Sequence, residues 1–224
     1  MSIDYLRQKT LFDPEEHGYV PIHIIGAGGI GSFLAVALAK LGMQNITIQD
    51  FDCVEPHNIP NQLFRLTDIG KMKVDAVKEI ASEFGDIEIK VITDKFEDSL
   101  PDLEPGSIVI SAVDSMEVRK AIFDAIKDDP MVDLFIDPRI GGCTIRILTV
   151  PLSEQDSITK YSNSFYDDEN AQELECTARA IIDVGFMVAG LVTGIIRNYI
   201  ANGKWTHELI YDAHNMLFIK QETE

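Results

Sequence analysis

The sequence is poor in cysteine. Its three cysteines, Cys53, Cys143 and Cys176, lie far apart, and none belongs to a CxxC pair. An odd number at wide spacing gives no disulfide framework, and without CxxC pairs a structural zinc site is not expected. Such cysteine usage is typical of a reducing compartment, so we expect the chain to be cytoplasmic.

Basic side chains are also scarce. There are 19 Lys and Arg against 37 Asp and Glu, which gives a formal net charge of −18. Because phosphate contacts need clustered Lys and Arg, this balance argues against a nucleic-acid-binding surface. An acidic surface favours a basic protein partner, or simply keeps the protein soluble.

Linkers and long apolar runs are missing as well. The sequence has no repeat, no low-complexity tract and no apolar N-terminal segment of the kind found in secretory signals. The longest apolar stretch, residues 180–196, is interrupted by Asp183 and three glycines. It is short for a membrane span, so we predict a buried helix and no membrane contact. A single domain over residues 1–224 suits this length.

The most informative segment is Ile22–Gly31, IHIIGAGGIG, which reads as a buried strand, a glycine turn and a helix start. Glycines let the backbone turn tightly and let a phosphate approach the N–H groups at the helix start. Asp50 lies 19 residues past Gly31, at the end of the next strand, where a carboxylate can hold ribose hydroxyls. We predict a nucleotide site with these turn glycines: Gly26, Gly28, Gly29 and Gly31. The turn alone does not separate NAD from ATP.

Strand and helix patterns alternate along the chain. We predict strands at 22–25, 45–49, 87–92, 107–112 and 134–137, and helices at 29–41, 68–84 and 117–126. This order indicates an α/β fold, a Rossmann-like and mostly parallel sheet with helices on both faces. Alternating segments at 143–150, 209–211 and 216–219 predict an antiparallel extension at one edge.

The predicted domain has three parts. The nucleotide-binding part covers about residues 20–150. An acidic, poorly patterned stretch at about 151–176 is predicted to be a mobile loop. A C-terminal helix and a hairpin make up residues 177–224.

Further motifs narrow the chemistry. The loop DFDCVEPHNIPNQLFR occupies residues 50–65, GKMK follows at 70–73, and Asp114 comes directly after the buried segment SIVISAV. With the glycine turn, these motifs closely resemble the ThiF/MoeB/ubiquitin-activating family of adenylating enzymes. The match runs from about residue 5 to the final hairpin, and four ordered motifs are far more specific than one glycine turn.

The resemblance implies ATP-dependent adenylation of a carboxylate, usually the C-terminal glycine of a small ubiquitin-like or sulfur-carrier protein, with release of pyrophosphate. It implies ATP and Mg²⁺ at the site. In these roles Asp50 would hold the ribose, Asn58 a phosphate or the ribose, Lys73 and Arg65 the phosphates, and Asp114 the Mg²⁺, with Asp52 and Gln62 beside the nucleotide.

Each of these residues has a structural alternative. Asp50 could be a plain strand-end acid, Lys73 a solvated lysine, Asp114 a helix cap, Arg65 the partner of a surface acid such as Asp68, and Asn58 a turn former.

Two arginines bear on the phosphates. Where the family has Arg before Gln62, this chain has Asn61, so one phosphate-contacting cation is missing and Arg65 could replace it. Near the N-terminus, Tyr5–Gln8 is similar to the family motif YxRQ. That similarity implies that Arg7 reaches the ATP site of a second copy, and hence that the protein is a homodimer; the alternative is a surface arginine.

Cys176 is the candidate nucleophile. Its surroundings, LECTAR, resemble those of the thioester-forming cysteine in some ubiquitin-activating enzymes. A cysteine at a helix N-terminus gains thiolate character, and a thiolate could capture the activated acyl group. The alternative is a small buried hydrophobic side chain.

Two other functions stay open. An NAD-dependent oxidoreductase would use the same glycine turn, although no proton-shuttling pair follows it and Lys73 and Asp114 suit a triphosphate. A catalytically weakened ATP-binding scaffold of the same fold would explain Asn61. A relative that activates a small molecule or a tRNA-linked carboxylate is also open, and the acidic charge argues against tRNA.

Overall fold

The computed structural model of the chain describes residues 3–98, 100, 103–165 and 181–221. Within these residues the backbone forms six α-helices and one sheet of eight strands. The strands are β1 Ile22–Ile25, β2 Ile46–Gln49, β3 Lys90–Ile92, β4 Ser107–Ser111, β5 Val132–Gly141, β6 Thr144–Pro151, β7 Glu208–Asp212 and β8 Leu217–Gln221. The helices are α1 Pro14–His17, α2 Gly31–Leu41, α3 Lys73–Ser82, α4 Met116–Ile126, α5 Gln155–Ser162 and α6 Ile182–Asn202.

The strands follow the order β3-β2-β1-β4-β5-β6-β7-β8 across the sheet. The first five in this order are parallel, and β1 lies between β2 and β4. The last three form an antiparallel meander that extends the β5 edge. The predicted, mostly parallel sheet with an antiparallel extension at one edge is therefore confirmed.

Helices cover both faces of the sheet, as predicted. Ile108 and Ile110 of β4 belong to one core cluster together with side chains of α2, α3 and α6. Val109, between them, belongs to a second cluster with side chains of α4 and α5. Because successive side chains of a strand point to opposite faces, β4 is buried on both sides, and this explains its unbroken apolar sequence SIVIS.

The sequence predicted a buried C-terminal helix from residue 177; the structure has α6 at Ile182–Asn202, which packs on the domain with part of its surface buried. It is the one helix of the described residues that is long and apolar enough to cross a membrane. Its buried side chains include Val184, Val188, Val192 and Ile196, and Gly185 allows the ring of Phe33 on α2 to pack closely. The side chain of Phe186 is 59% exposed, and its ring contacts the ring of Phe33 with 4.8 Å between centroids.

The stretch predicted as a loop over 151–176 differs from its prediction in its first part. Pro151 ends β6, and residues 155–162 form α5. Ile158 and Tyr161 pack on the cluster that contains Phe123, so a single apolar side holds this short helix against the sheet. Two apolar residues three apart are a weak helical signal in an acidic segment. Residues 166–176 lie outside the described residues.

Candidate functional site

The three motifs that predict a nucleotide site lie together at the carboxyl ends of the parallel strands. The glycine turn follows β1, Asp50 follows β2 and Asp114 follows β4, and these three strands are adjacent. The amide of Gly26 donates to the carbonyl of Gln49 at 2.7 Å, and the amide of Ala112 donates to the carbonyl of Ile25 at 2.7 Å. The chain leaves β1 toward β2 and returns on its other side as β4, which opens a crevice at the carboxyl ends of the strands.

The glycines of the turn do different work. Gly26 has φ +100°, and a Cβ there would lie 2.6 Å from the carbonyl oxygen of Ala112. A Cβ on Gly31 would lie 1.9 Å from the carbonyl oxygen of Gly26, so both positions are needed to form the turn. Gly28 has room, because the nearest atom to its Cβ position is the Nε2 of Gln62 at 3.8 Å. Gly28 and Gly29 are partly exposed, and a phosphate could approach the backbone there.

Asp50 fixes the glycine turn in place. Its Oδ2 accepts a hydrogen bond from the amide of Ala27 at 2.7 Å, and its Oδ1 accepts one from the amide of Asp52 at 2.8 Å. The alternative of a plain strand-end acid is therefore too simple. Each carboxylate oxygen can accept a further hydrogen bond, and the side chain is partly exposed, so ribose hydroxyls could still bind to it.

Lys73 contacts the loop after β2, close to Asp50, and is not a solvated surface lysine. It is the first residue of α3, its side chain is 10% exposed, and its Nζ lies 2.7 Å from Oδ2 of Asp52. Its amide also donates to the carbonyl of Asp52 at 2.9 Å. The half-exposed carboxylate of Asp52 thus holds the ammonium group at the crevice, where a phosphate could take over as its partner.

The asparagine and glutamine of the loop are partly occupied by local contacts. Asn58 is buried, and its Oδ1 accepts a hydrogen bond from the amide of Glu55 at 2.9 Å. It therefore stabilises a turn, which was its structural alternative. Among the described residues, Oδ1 of Asn61 and Oε1 of Gln62 are buried and have no hydrogen-bond partner. The Nε2 of the same Gln62 amide lies 3.8 Å from the Cβ position of Gly28, so a polar ligand at the glycine turn could satisfy the Gln62 oxygen.

Arg65 forms ion pairs with Asp68 three residues later and with Glu79 and Glu83 at α3. Its Nε lies 2.9 Å from Oδ2 of Asp68, and its other nitrogens contact Glu79 and Glu83. Asp68 is fully buried, and Lys71 also donates to it at 3.2 Å. These contacts match the structural alternative for Arg65, in which it pairs with an acid such as Asp68. A role of Arg65 at the phosphates stays a prediction and would require it to leave these carboxylates.

Asp114 lies in the exposed loop between β4 and α4. The cap of α4 is Ser115, whose Oγ accepts from the amide of Val118 at 3.3 Å, so the alternative of Asp114 as the cap is wrong. Mg²⁺ is usually held by one or two carboxylates together with substrate phosphates. The carboxylate of Asp114 fits that donor set, although the described part of the chain has no group of three or more metal-ligating side chains.

The remaining predicted residues lie away from this crevice. Arg7 is exposed, and its neighbour Gln8 donates to the carbonyl of Leu41 at 2.8 Å. Leu41 ends α2, an eleven-residue helix of about 16 Å, whereas the glycine turn is at its beginning. Arg7 therefore does not reach the crevice of its own chain. Cys176 lies outside the described residues, and Cys53 and Cys143 are exposed free thiols.

Sequence reasoning missed Arg119. This residue of α4 is 4% exposed, and its guanidinium donates to the carbonyls of Ser111 and Val113, to the carbonyl of Pro138 and to the carboxylate of Asp137. A signal was available. Arg119 takes an apolar position in the helical spacing of Met116, Ile122, Phe123 and Ile126.

Asp137 is the centre of a buried polar network. It is fully buried and pairs with Arg119 and with Arg139, whose Nη2 lies 2.7 Å from Oδ2 of Asp137. The hydroxyl of Tyr161 donates to the same carboxylate at 2.8 Å. Burial raises the pKa of Tyr161, and the nearby charge of Asp137 raises it further, so the hydroxyl stays a donor.

The comparisons with known proteins agree with the geometry. A model of the ThiF family matches residues 18–202. The NEDD8-activating enzyme E1 catalytic subunit of Arabidopsis thaliana is 36% identical over 159 residues, which cover 62% of this chain and 35% of that protein. Adenylyltransferase and sulfurtransferase MOCS3 of Aedes aegypti is 33% identical over 107 residues, covering 46% of this chain and 24% of that protein.

A solved structure has the same fold over nearly the whole chain. The structure of E. coli MccB with ATP superimposes with a TM-score of 0.73 at 16% identity, and covers 93% of this chain and 65% of that one. At this identity the likeness shows the fold alone. The chain spans 35% of the Arabidopsis relative and 24% of the mosquito relative, so it matches only part of each.

Proposed function

Because the chain belongs to the ThiF family, we propose that it is an ATP-dependent adenylyltransferase that activates a carboxylate. The observation that carries the proposal is the meeting of the glycine turn, Asp50, Lys73 and Asp114 at one crevice of the sheet. The proposed substrate is the C-terminal glycine of a small ubiquitin-like or sulfur-carrier protein. The names of the Arabidopsis and mosquito relatives support this class.

In the proposed reaction, an oxygen of the substrate carboxylate attacks the α-phosphorus of ATP. The bond from that phosphorus to the bridging oxygen breaks, pyrophosphate leaves with the electron pair, and an acyl adenylate forms. Asp50 would orient the nucleotide through its ribose. Lys73 would exchange Asp52 for the α-phosphate and stabilise the charge that develops there.

We propose that Asp114 would hold Mg²⁺, and that the bound ion would supply charge neutralisation for the leaving pyrophosphate. The chain supplies fewer cations of its own than the family pattern, because Asn61 stands at the arginine position. The ion pair of Lys73 with Asp52, beside Asp50, supports a phosphate-binding role for this lysine. A further cation would come from Arg7 of a second copy.

A homodimer is part of the proposal. Arg7 lies at the far end of α2 from its own glycine turn, so it could serve only the site of another copy. The exposed part of α6 offers an apolar surface for such contact. Phe186 is 59% exposed, Ile182 is 39% exposed, and nothing lies within 4 Å of a Cβ built on Gly190. Exposed apolar surface of this kind is typical of an interface.

The proposal is tested by carboxylate-dependent exchange of labelled pyrophosphate into ATP, using the full chain and candidate proteins that end in glycine. Asp114→Ala should abolish the exchange, while Glu117→Ala, an exposed carboxylate in the first turn of α4, should leave it unchanged. Normal exchange in Asp114→Ala would refute the assignment of Asp114. Retention of NAD without ATP turnover would favour the oxidoreductase, and ATP binding without exchange would favour the scaffold that Asn61 suggests.

A thioester step on Cys176 is a separate part of the proposal. The thiolate would attack the acyl carbon of the adenylate, AMP would leave, and the acyl group would be held on sulfur. Cys176→Ala should keep pyrophosphate exchange and lose any thiol-sensitive adduct seen by intact mass. Cys143→Ala, an exposed thiol in the turn between β5 and β6, serves as the control. Loss of exchange in Cys176→Ala would show an earlier or structural role.

A further inference from the structure

We propose that Arg119 is a positioning residue that fixes the loop of Asp114, and with it the carboxylate that the proposed function assigns to Mg²⁺. Arg119 does not reach the crevice with its own charge. It acts through the backbone on either side of the metal-binding position. The role at Mg²⁺ rests on the proposed function, but the hydrogen bonds between Arg119 and the loop do not depend on it.

Arg119 bonds directly to the backbone of the loop that carries Asp114. The Nη1 of Arg119 donates to the carbonyl of Ser111 at 3.1 Å, and Nη2 donates to the carbonyl of Val113. The carbonyl of Val113 belongs to the peptide bond that leads into Asp114. A planar guanidinium can bridge two carbonyls in a fixed geometry, which a flexible ammonium cannot do. The short loop is thus held on its β4 side by Arg119 and on its α4 side by the Ser115 cap.

The guanidinium of Arg119 is itself held by contacts with β5. Arg119 is 4% exposed and Asp137 is fully buried, so the pair is shielded from solvent. The carbonyl of Pro138 accepts from the same Nη1 at 3.1 Å. A buried charge held by several hydrogen bonds and an ion pair has little freedom to move. The loop after β4 is therefore tied to the interior of β5, the next strand of the sheet.

Arg139 allows a positioning role of Arg119 to be separated from a role in the stability of the fold. Arg139 is buried to a similar degree, at 7% exposed, and pairs with the same Asp137. Its other contacts include the backbone and the hydroxyl of Ser164, after α5. The two arginines thus share one carboxylate, but Arg119 bonds to the loop of Asp114 and Arg139 bonds to the end of α5. Replacement of either weakens the core, and replacement of Arg119 alone should loosen the loop.

The experiment compares Arg119→Lys with Arg139→Lys, since both keep a positive charge beside Asp137. Amide hydrogen exchange is measured for a peptide that covers residues 112–116, and ATP binding is titrated calorimetrically over a range of Mg²⁺ concentrations. We expect exchange in this peptide to become about tenfold faster in Arg119→Lys, and the half-saturating Mg²⁺ concentration to rise about tenfold, as is common when a group that orients a ligand is lost. Arg139→Lys should change neither.

Equal exchange rates in the two variants would overturn the inference, as would a looser loop with unchanged Mg²⁺ dependence. If Arg119→Lys does not fold, Asp137→Asn carries the same measurement, because it keeps both arginines and removes the anchor. An unaltered protein that binds ATP with Mg²⁺ but performs no pyrophosphate exchange would refute the proposed function and leave the positioning role intact.

Discussion

Lys73 and Asp52 form an ion pair at the crevice, with 2.7 Å between Nζ and Oδ2, and the amide of Lys73 donates to the carbonyl of Asp52 at 2.9 Å. Side chain and backbone together therefore hold the start of α3 against the loop after β2. The ammonium is thereby oriented beside Asp52. A charge that is already oriented loses little freedom when it binds a phosphate.

Lys73→Ala should lower the rate of pyrophosphate exchange by about a hundredfold or more, because it removes a cation from the developing charge. Lys78→Ala is the matched control, since Lys78 lies on the same helix and pairs with Glu88 at 3.3 Å on the surface. The rates of both variants are measured at saturating ATP. Equal effects of the two substitutions would contradict the role of Lys73.

Gly28→Ala and Gly31→Ala should separate ligand binding from folding. At Gly28 the added methyl group meets nothing closer than 3.8 Å, so the protein should fold normally and bind ATP about tenfold more weakly. At Gly31 the methyl group would lie 1.9 Å from the carbonyl of Gly26, and we expect a loss of about 3 kcal/mol or more in unfolding free energy. Calorimetric ATP binding and urea denaturation measure the two effects. Normal ATP affinity in Gly28→Ala would argue against a phosphate at this turn.

A mixture of Arg7→Ala and Lys73→Ala chains should regain activity that neither variant has. In a mixed dimer one site lacks both residues and the other is intact, so equal amounts at random exchange should give about a quarter of the normal activity. Exchange of subunits is followed by mass, and activity by pyrophosphate exchange. No recovery in proven mixed dimers would place Arg7 outside the site of the second copy.

Asp68 should make the protein sensitive to acid. Burial alone would raise the pKa of Asp68, but the hydrogen bonds from Arg65 and Lys71 outweigh it and hold the pKa below its ordinary value of 3.8. A lowered native pKa stabilises the fold above the unfolded-state value and loses that contribution as pH falls through the native value. Asp68→Asn should therefore cost about 1–2 kcal/mol near pH 7, and the difference from the unaltered protein should shrink below pH 3.8.

Denaturant midpoints across this pH range measure the effect. Glu79→Gln is the control, because Glu79 contacts the same Arg65 from a half-exposed position and should matter little. A constant difference between Asp68→Asn and the unaltered protein from pH 7 to pH 3 would contradict this account.

Local patterns in the sequence identified the motifs of the candidate site. The glycine turn, the acid after β2 and the apolar segment before Asp114 are each contained in a few consecutive residues, so the sequence identified all three, and the structure places them after adjacent strands. The partners of the charged side chains were harder to predict. Arg65 contacts Glu79 and Glu83 across 14 and 18 residues, and no periodic pattern links such positions.

The helix α5 and the role of Arg119 were missed for a related reason. A short helix in an acidic stretch shows only two or three apolar positions, and its stability comes from packing on Phe123 and Phe135. Arg119 stands at a helix position whose spacing predicts a buried apolar side chain, whereas its own side chain is charged. Only the neighbouring β5, which brings Asp137 beside it, gives the charge a partner.

The sequence by itself determined most elements of this protein, though not α5, because strand alternation, helical spacing and glycine geometry depend on neighbours along the chain. The order of strands across the sheet and the pairing of its buried charges were decided by the tertiary structure. Those contacts join residues that are far apart in sequence, and their strength depends on burial that exists only once both core clusters have formed.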